Sequence, residues 1–244
     1  MRIAIVSDVH SNLEALQAVF AHANGTAPIG AVWCLGDITG YGPEPSPVIA
    51  ALRGLVLTSV AGNHDLAACG LMGLEEFNGY AATAAKWNAE QLSGAERAFL
   101  SSLPLVHVTA PFTLAHGTIA RPEWEYLLSG EQALTQFELQ TTPYSIVGHS
   151  HLPFCIEEHA GAMPAIVPAD DGDELELGER RLILNPGSVG QPRDGDPRAS
   201  YILYDDAART VRWHRVEYDI ASTQRKMREA GLPLWLSERL ALGR

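Results

Sequence analysis

No Cys-x-x-Cys pair occurs in this chain of 244 residues, and its three cysteines, Cys34, Cys69 and Cys155, lie far apart. A disulfide framework is therefore not expected, and a reducing compartment is. Positive charge is scarce: 17 basic residues stand against 29 acidic ones, a net charge of -12. Holding long nucleic acid without sequence preference demands a basic footprint, so that partner is not expected. A small phosphorylated substrate stays open, because bound metal ions reverse the local sign. No apolar run approaches the roughly 20 residues of a membrane-spanning helix, and residues 1–7 enter a strand pattern without a basic leader or a cleavage site. The expectation is a soluble cytoplasmic protein with no membrane partner. Neither an internal repeat nor a low-complexity linker divides the chain. With 46% hydrophobic and 19% charged residues it can bury an ordinary core. Residues 1–244 are read as a single domain, closed by helices from about residue 220.

The pattern that organises the chain stands at its beginning. Arg2-Ile-Ala-Ile-Val6 stops at Ser7-Asp8-Val9-His10, as a buried strand does when its C-terminal end delivers polar groups to a cleft. Asp8 and His10 are two residues apart, so extended backbone predicts both side chains on one side. Leu13, Leu16, Val19 and Phe20 recur at helical spacing, which predicts an amphipathic helix from 13 to about 23, capped by Ser11 or Asn12. Ala31-Val-Trp-Cys-Leu35 is a second buried strand that ends in Gly36-Asp37, and strand–helix–strand predicts a parallel pair. A Gly- and Pro-rich loop at 40–45 and a short helix at 48–53 lead to a third strand, 55–60. That strand ends in Ala61-Gly62-Asn63-His64-Asp65. Two Ala-rich helices follow, 77–92 and 95–103. The pattern then changes to short strands at 105–108, 112–115, 144–147, 154–158, 165–167, 182–184, 201–204 and 211–216, with a helix at 131–139. The acidic run 170–174 lacks EF-hand spacing and reads as a solvated hairpin tip. An α/β half followed by a β-rich half predicts two sheets packed face to face, with helices outside.

Of the nine histidines, His22, His107, His159 and His214 occupy ordinary helix or strand positions. His10, His64, His116, His149 and His151 each follow an apolar run directly. His149-x-His151 can place both rings on one ion or on two adjacent ones. Asp8, His10, Asp37, Asn63, His116, His149 and His151 make seven donors. That is too many for one transition metal, which takes about four to six, and suits two ions that share a carboxylate and keep positions open for water. Two ions roughly 3.5–4 Å apart serve in-line displacement at phosphorus, with a bridging water as nucleophile.

In this order, Asp8-x-His10, Gly36-Asp37, Gly62-Asn63-His64-Asp65, His116 and Gly148-His149-x-His151 resemble the motifs of the calcineurin-like metallophosphoesterase superfamily. Asn185-Pro-Gly-Ser188 and Gly40-Tyr-Gly-Pro43 are similar to turns of its small bacterial and archaeal phosphodiesterase branch, some members of which cleave dinucleoside polyphosphates. The resemblance implies an α/β fold, a four-layer αββα sandwich of two mixed β-sheets flanked by helices. It implies a dinuclear metal-dependent phosphoesterase acting on small phosphodiester or nucleotide substrates through a metal-bridging hydroxide. Dinucleoside polyphosphates and phosphomonoesters are the alternatives. Two divalent metal ions, from among Mn, Fe, Zn, Ni and Co, would be bound, one by Asp8, His10 and His151 and the other by Asn63, His116 and His149, with Asp37 bridging. His64 would act as general acid at the leaving oxygen, and Asp65 would orient it and help it hold its proton.

Protein phosphatases of the superfamily carry arginines after Gly-Asp and before Gly-Asn-His. Here Ile38-Thr-Gly-Tyr41 follows Asp37 and Ala61 precedes Gly62, which argues against phosphoprotein substrates. Tyr41, Asn185, Arg193 and Arg198 are candidates for substrate contact, with an exposed salt bridge as the plainer reading of either arginine. A non-catalytic scaffold of the same fold, like the retromer subunit that resembles these enzymes, would have lost ligands or His64. None is lost here.

Overall fold

The structure is a computed structural model that describes residues 1–25 and 27–244. The opening apolar run is β1 (Arg2–Val6). Helix α1 (Leu13–Asn24) is capped by Asn12, whose side chain accepts from the Ala15 N–H at 3.2 Å. It returns the chain so that β2 (Ala31–Cys34) lies parallel to β1, with Ile3 beside Ala31 and Val6 beside Cys34. Helix α2 (Pro45–Arg53) begins on a proline, which costs no hydrogen bond at that position, and β3 (Leu57–Ser59) extends the parallel set. Helices α3 (Asn63–Ala68), α4 (Gly79–Gln91) and α5 (Gly94–Ser101) follow, the last opened by a Ser93–Glu96 capping box. The second half runs β4 (Val106–Thr109), β5 (Phe112–Ala115), α6 (Gly130–Leu139), β6 (Tyr144–Ile146), β7 (Pro153–Glu157), β8 (Val167–Pro168), β9 (Glu174–Glu176), β10 (Leu182–Pro186), β11 (Ala199–Asp205) and β12 (Thr210–Val216). Helices α7 (Ile220–Glu229) and α8 (Leu234–Glu238) and a 3-10 turn, Arg239–Leu242, close the chain.

One sheet has the order β3-β2-β1-β11-β12-β9 and the other β4-β5-β6-β10-β7-β8, and both mix parallel and antiparallel pairs. The period-2 alternation of β1 decides the layers. Ile3 and Ile5 face the second sheet, where they meet Phe112, Leu114, Tyr144, Ile146, Leu182 and Leu184. Ala4 and Val6 face the other way, onto Leu16, Val19, Ile49 and Leu52 of α1 and α2. Aromatic edges lock the inter-sheet layer, with Trp33 and Tyr204 against Phe112 at centroid distances of 5.2 and 5.0 Å. Burying each such side chain contributes about 1.5–3 kcal/mol. On the outer side of the second sheet, Phe154, Ile156 and Ile183 take Ala133 and Phe137 of α6. Helix, sheet, sheet, helix is the expected αββα sandwich.

Two elements differ from the sequence expectation. The 170–174 turn forms, with the Asp173 N–H donating to Asp170 O at 3.2 Å. It then runs into β9, which pairs with β12 through Glu174 and Arg212, ion-paired at 3.1 Å. That strand turns Leu175 and Leu177 onto the inter-sheet core, and two apolar positions are too few to announce it. Asn63-His64-Asp65, read from the sequence only as the residues in which the third strand ends, is the first turn of α3; a helix this short carries no apolar period to read.

Candidate metal centre

Strands β1, β2 and β3 of one sheet and β5 and β6 of the other end on the same side, so their terminal residues converge. The seven donors lie together and are buried: Asp8 and His116 have no exposed surface, and His149 is the most open at 4%. They do not arrive as extended chain. β1 stops at Val6 and β6 at Ile146. Asp8, His10, Asp37, His149 and His151 all have left-handed backbone, with φ of 53°, 48°, 50°, 64° and 61°. The alternation argument for Asp8 and His10 is thus corrected: the chain turns, and each turn, not the pleat, aims a ligand. Such conformations cost on the order of 1 kcal/mol or more apiece. Main-chain bonds between the loops hold them, from the Asp8 N–H to Gly36 O at 3.1 Å, His10 N–H to Asp37 O at 2.9 Å and Gly148 N–H to His116 O at 2.8 Å. The loops press so closely that a Cβ on Gly62 would strike Asp37 and one on Gly148 would strike Ser7.

The imidazoles are fixed from behind. His10 Nδ1 faces Thr39 O at 3.0 Å, His116 Nδ1 faces Leu35 O at 2.8 Å, His151 Nδ1 faces Gln191 O at 2.5 Å and His149 Nε2 faces Trp124 O at 3.0 Å. A carbonyl only accepts, so each of these nitrogens carries a hydrogen, and the other nitrogen is turned inward, where it offers a lone pair once it is free of a proton. Those inward nitrogens meet head on. His10 Nε2 is 3.2 Å from His151 Nε2, and His116 Nε2 is 3.0 Å from His149 Nδ1 and 3.2 Å from Asn63 Oδ1. Lone pairs at that distance repel unless a positive charge sits between them.

The carboxylates are arranged the same way. Asp8 Oδ2 accepts from the His149 N–H at 3.1 Å, while Oδ1 is buried without a hydrogen-bond partner, 3.3 Å from His151 Nε2. Asp37 Oδ1 accepts from the His64 N–H at 2.9 Å, and Oδ2 lies 3.4 Å from His116 Nε2 and 3.6 Å from His10 Nε2. One cluster is Asp8, His10 and His151; another is Asp37, His116 and His149, joined by Asn63. His149 and His151 therefore serve different clusters, and Asp37 Oδ2 stands between the two. Hard and borderline oxygen and nitrogen donors with no thiolate suit divalent first-row cations.

Electrostatics agree with a cationic occupant. Burial pushes the Asp8 carboxyl up, but His151 and His116 outweigh it and bring it below the usual carboxylate range. Asp37 is likewise brought down, against burial, by His116 and His64. Burial pulls His116 down, yet Asp37 and Asp8 raise it to about 9, so without metal it keeps a proton among the inward-facing donors. His149 falls to about 3 through burial and the charge of His116.

The remaining candidates separate. The His64 ring packs against Tyr41 at 4.5 Å, His10 at 4.9 Å and Phe77 at 5.0 Å, and its Nδ1 is buried without a partner. The expected Asp65–His64 pairing is not formed. Asp65 instead accepts from the main-chain N–H groups of Ile38 at 3.2 Å, Thr39 at 2.9 Å and Gly62 at 3.2 Å and from the Thr39 hydroxyl at 3.1 Å. It ties the Asp37 loop to α3, and burial, opposed by Asp37, brings His64 down to about 4. Asn185 is fully buried with its polar atoms engaged by Gly148 O, Ser150 Oγ and the Gly187 N–H. It braces the His149–His151 loop and is not free to touch substrate. Arg198 is bound to Asp196 at 2.7 Å and Asp171 at 3.0 Å, the salt-bridge reading. Arg193 differs: it reaches the Tyr41 hydroxyl at 3.3 Å, its Nε is buried without a partner, and Tyr41 in turn packs on His10 at 4.5 Å. Sequence reasoning missed Tyr126, which stacks on His149 at 4.0 Å and 9°, and Trp124, whose carbonyl orients the same ring. The aromatic doublet in Trp124-Glu-Tyr126, just past a ligand histidine, was the available signal.

Residues 1–208 match the family model described as the calcineurin-like phosphoesterase superfamily domain. An uncharacterised protein of Methanocaldococcus jannaschii is 38% identical over 249 residues, covering 99% of this chain and 98% of that protein. The crystal structure of a metallophosphoesterase from Sphaerobacter thermophilus is similar with a TM-score of 0.90 at 44% identity, over 100% of this chain and 99% of the other. A hypothetical protein from Pyrococcus horikoshii OT3 is similar in fold, with a TM-score of 0.81 at 18% identity over 100% and 98% of the two chains.

Proposed function

Because the chain belongs to the calcineurin-like phosphoesterase superfamily, we propose that it is a dinuclear metal-dependent hydrolase of small phosphodiester or nucleotide substrates. The observation that carries this is the inward-facing donors: four imidazoles are fixed by carbonyls behind them, and their second nitrogens face each other at 3.0 and 3.2 Å. That arrangement is wasteful for stability and useful for holding cations. Asp8, His10 and His151 would hold one ion, Asn63, His116 and His149 the other, and Asp37 both. Bound there, two divalent ions would supply an ionised water and neutralise the charge that builds on the phosphoryl oxygens.

The chain's own residues do the rest. Asp37 Oδ2, between the clusters, fixes their separation, and Asp65 fixes Asp37 by clamping its loop. His64, pressed between Tyr41 and Phe77, is neutral and keeps one N–H to donate to the departing oxygen. Tyr41, Phe77, Trp124 and Tyr126 form an aromatic wall beside the site, with Tyr41 and Phe77 against His64, Phe77 against Trp124 and Tyr126 against His149. No helix among the described residues is long and apolar enough to cross a membrane. We place the activity in a single domain, residues 1–244, acting in the cytoplasm on a small molecule and not on long nucleic acid or a membrane.

The test is hydrolysis of bis-p-nitrophenyl phosphate by Mn²⁺-loaded protein, abolished by chelation, with Asp37→Ala losing metal and activity together. A panel of dinucleoside polyphosphates, cyclic nucleotides, mononucleotides and a phosphopeptide identifies the substrate class. Protein that binds two ions yet hydrolyses none of them overturns the proposal.

A further inference from the structure

Helix α4 carries a buried amide that the donor set does not use. Its buried face is Ala81, Ala84, Ala85 and Asn88, the spacing of one helical stripe. Ala81 and Ala84 pack in one apolar cluster with Tyr41. Asn88 is the exception on this face. Asparagine is a poorer helix former than alanine, and an amide taken out of water is costly unless its polar atoms are partnered. Asn88 has no exposed surface, and its amide is engaged on both sides. Oδ1 accepts from the Ser11 hydroxyl at 2.6 Å and from the Gly40 N–H at 3.1 Å, and Nδ2 donates to Gly42 O and to Ala84 O, each at 3.1 Å. The Gly40 N–H only donates and Gly42 O only accepts, so the amide has one orientation.

The Gly40 N–H and Thr39 O are the two ends of one planar peptide unit. One end donates to Asn88, and the other accepts from His10 Nδ1 at 3.0 Å. Asn88 thus fixes the carbonyl that fixes the His10 ring. Through Ser11 it also holds the residue next to His10, where the backbone is left-handed at both positions, and through Gly40 and Gly42 it brackets Tyr41, left-handed as well with φ of 51°. Such backbone persists only where its surroundings hold it. The Tyr41 ring packs on His10 and on His64, each at 4.5 Å. Asp37 lies in the same loop but is held separately, its Oδ1 by the His64 N–H and its neighbours Ile38 and Thr39 by Asp65. The partners of the amide, Ser11, Gly40, Gly42 and Ala84, belong to the His10 and Tyr41 loops or to α4 itself, whereas His116 and His149 are oriented by Leu35 O and Trp124 O.

We propose that Asn88 is a positioning residue for the Asp8–His10–His151 cluster, and that through it α4 sets how tightly one of the two ions is held. This rests on the dinuclear reading above. Metal-free wild-type protein titrated calorimetrically with Mn²⁺ should show two binding events. In Asn88→Ala one event should stay as in wild type and the other weaken roughly 10- to 100-fold, as when a group that orients a ligand is lost. Turnover lost at two equivalents of Mn²⁺ should return when the metal is raised by the same factor. Ser11→Ala, which removes one bond to the amide, should weaken the same event roughly two- to tenfold, and it decides the matter if Asn88→Ala does not fold. Ala85→Gly, which loosens the same helix, should lower the melting temperature and leave both events unchanged. Both events weakened alike, neither weakened, or the same loss in Ala85→Gly overturns the positioning role, and the dinuclear reading survives. Fewer than two events in wild type overturns the dinuclear reading instead, and the role is then decided without metal by nitrogen-15 NMR of the histidine rings at pH 7.5. His10, assigned by comparison with His10→Gln, should be the Nδ1–H tautomer in wild type and a mixture of tautomers in Asn88→Ala or Ser11→Ala, while His149 stays Nε2–H. A His10 ring unmoved by these substitutions overturns the role.

Discussion

Metal-free protein should release one proton when it takes up its ions at pH 6, and that proton should come from His116. Burial disfavours charge on this ring, but Asp37 Oδ2 at 3.4 Å and Asp8 beyond it raise its pKa to about 9. The other three imidazoles go the opposite way: burial, with His116 nearby, puts His149 at about 3, and burial brings His10 and His151 below their ordinary value. Of the four, His116 is the one held charged above its ordinary range, and a ligand must surrender its proton to offer its lone pair. Calorimetric loading with Mn²⁺ in buffers of different ionisation enthalpy counts the protons. The expected count is about one per chain, at a pH low enough that ionisation of bound water, with a pKa of about 7, adds little. The same group fixes a sign for the stability of metal-free protein. Its folded pKa, about 9, lies above the ordinary 6.5. Its contribution is therefore complete below pH 6.5 and lost as pH rises from 6.5 to 9, an effect on the order of 3 kcal/mol. Denaturant titrations of chelated protein across that window measure it, and loaded protein should not show the loss. A proton count near zero or near two, or metal-free stability that rises between pH 6.5 and 9, would refute the reasoning.

His64→Ala should retain its metal, measured by elemental analysis, while turnover falls by on the order of 10²–10⁴; a variant that comes out metal-free shows that His64 is a ligand instead. Asp65→Ala strands the Ile38, Thr39 and Gly62 N–H groups, at a cost of about 2–4 kcal/mol and a melting temperature lower by on the order of 10 °C. Melting like wild type would remove the clamp assigned to it.

The layers of the fold were legible because they follow from local chemistry. Ile3 and Ile5 alternate with Ala4 and Val6, so one strand must be covered on both faces, by a sheet and by helices. The β9 strand was not legible, since its alternation rests on two apolar residues, Leu175 and Leu177, and the strand takes shape only through its pairing with β12. Asp65 was misread for a related reason. Adjacent to His64 in sequence, it turns into the first turn of α3 and spends its oxygens on a loop 26–27 residues earlier.

By itself the sequence determined which atoms can hold cations and in what order they come, because a polar residue placed directly after a buried strand has only a cleft to enter. Folding in three dimensions decided how those atoms are aimed. Left-handed backbone at Asp8, His10, Asp37, His149 and His151, and carbonyls from Leu35, Thr39, Trp124 and Gln191 that set each tautomer, depend on loops remote in the chain. The same holds for Arg193 and Arg198, identical residues in one loop. One has carboxylates waiting for it and the other does not, and charge on a neighbour is a property of space, which the order of residues does not record.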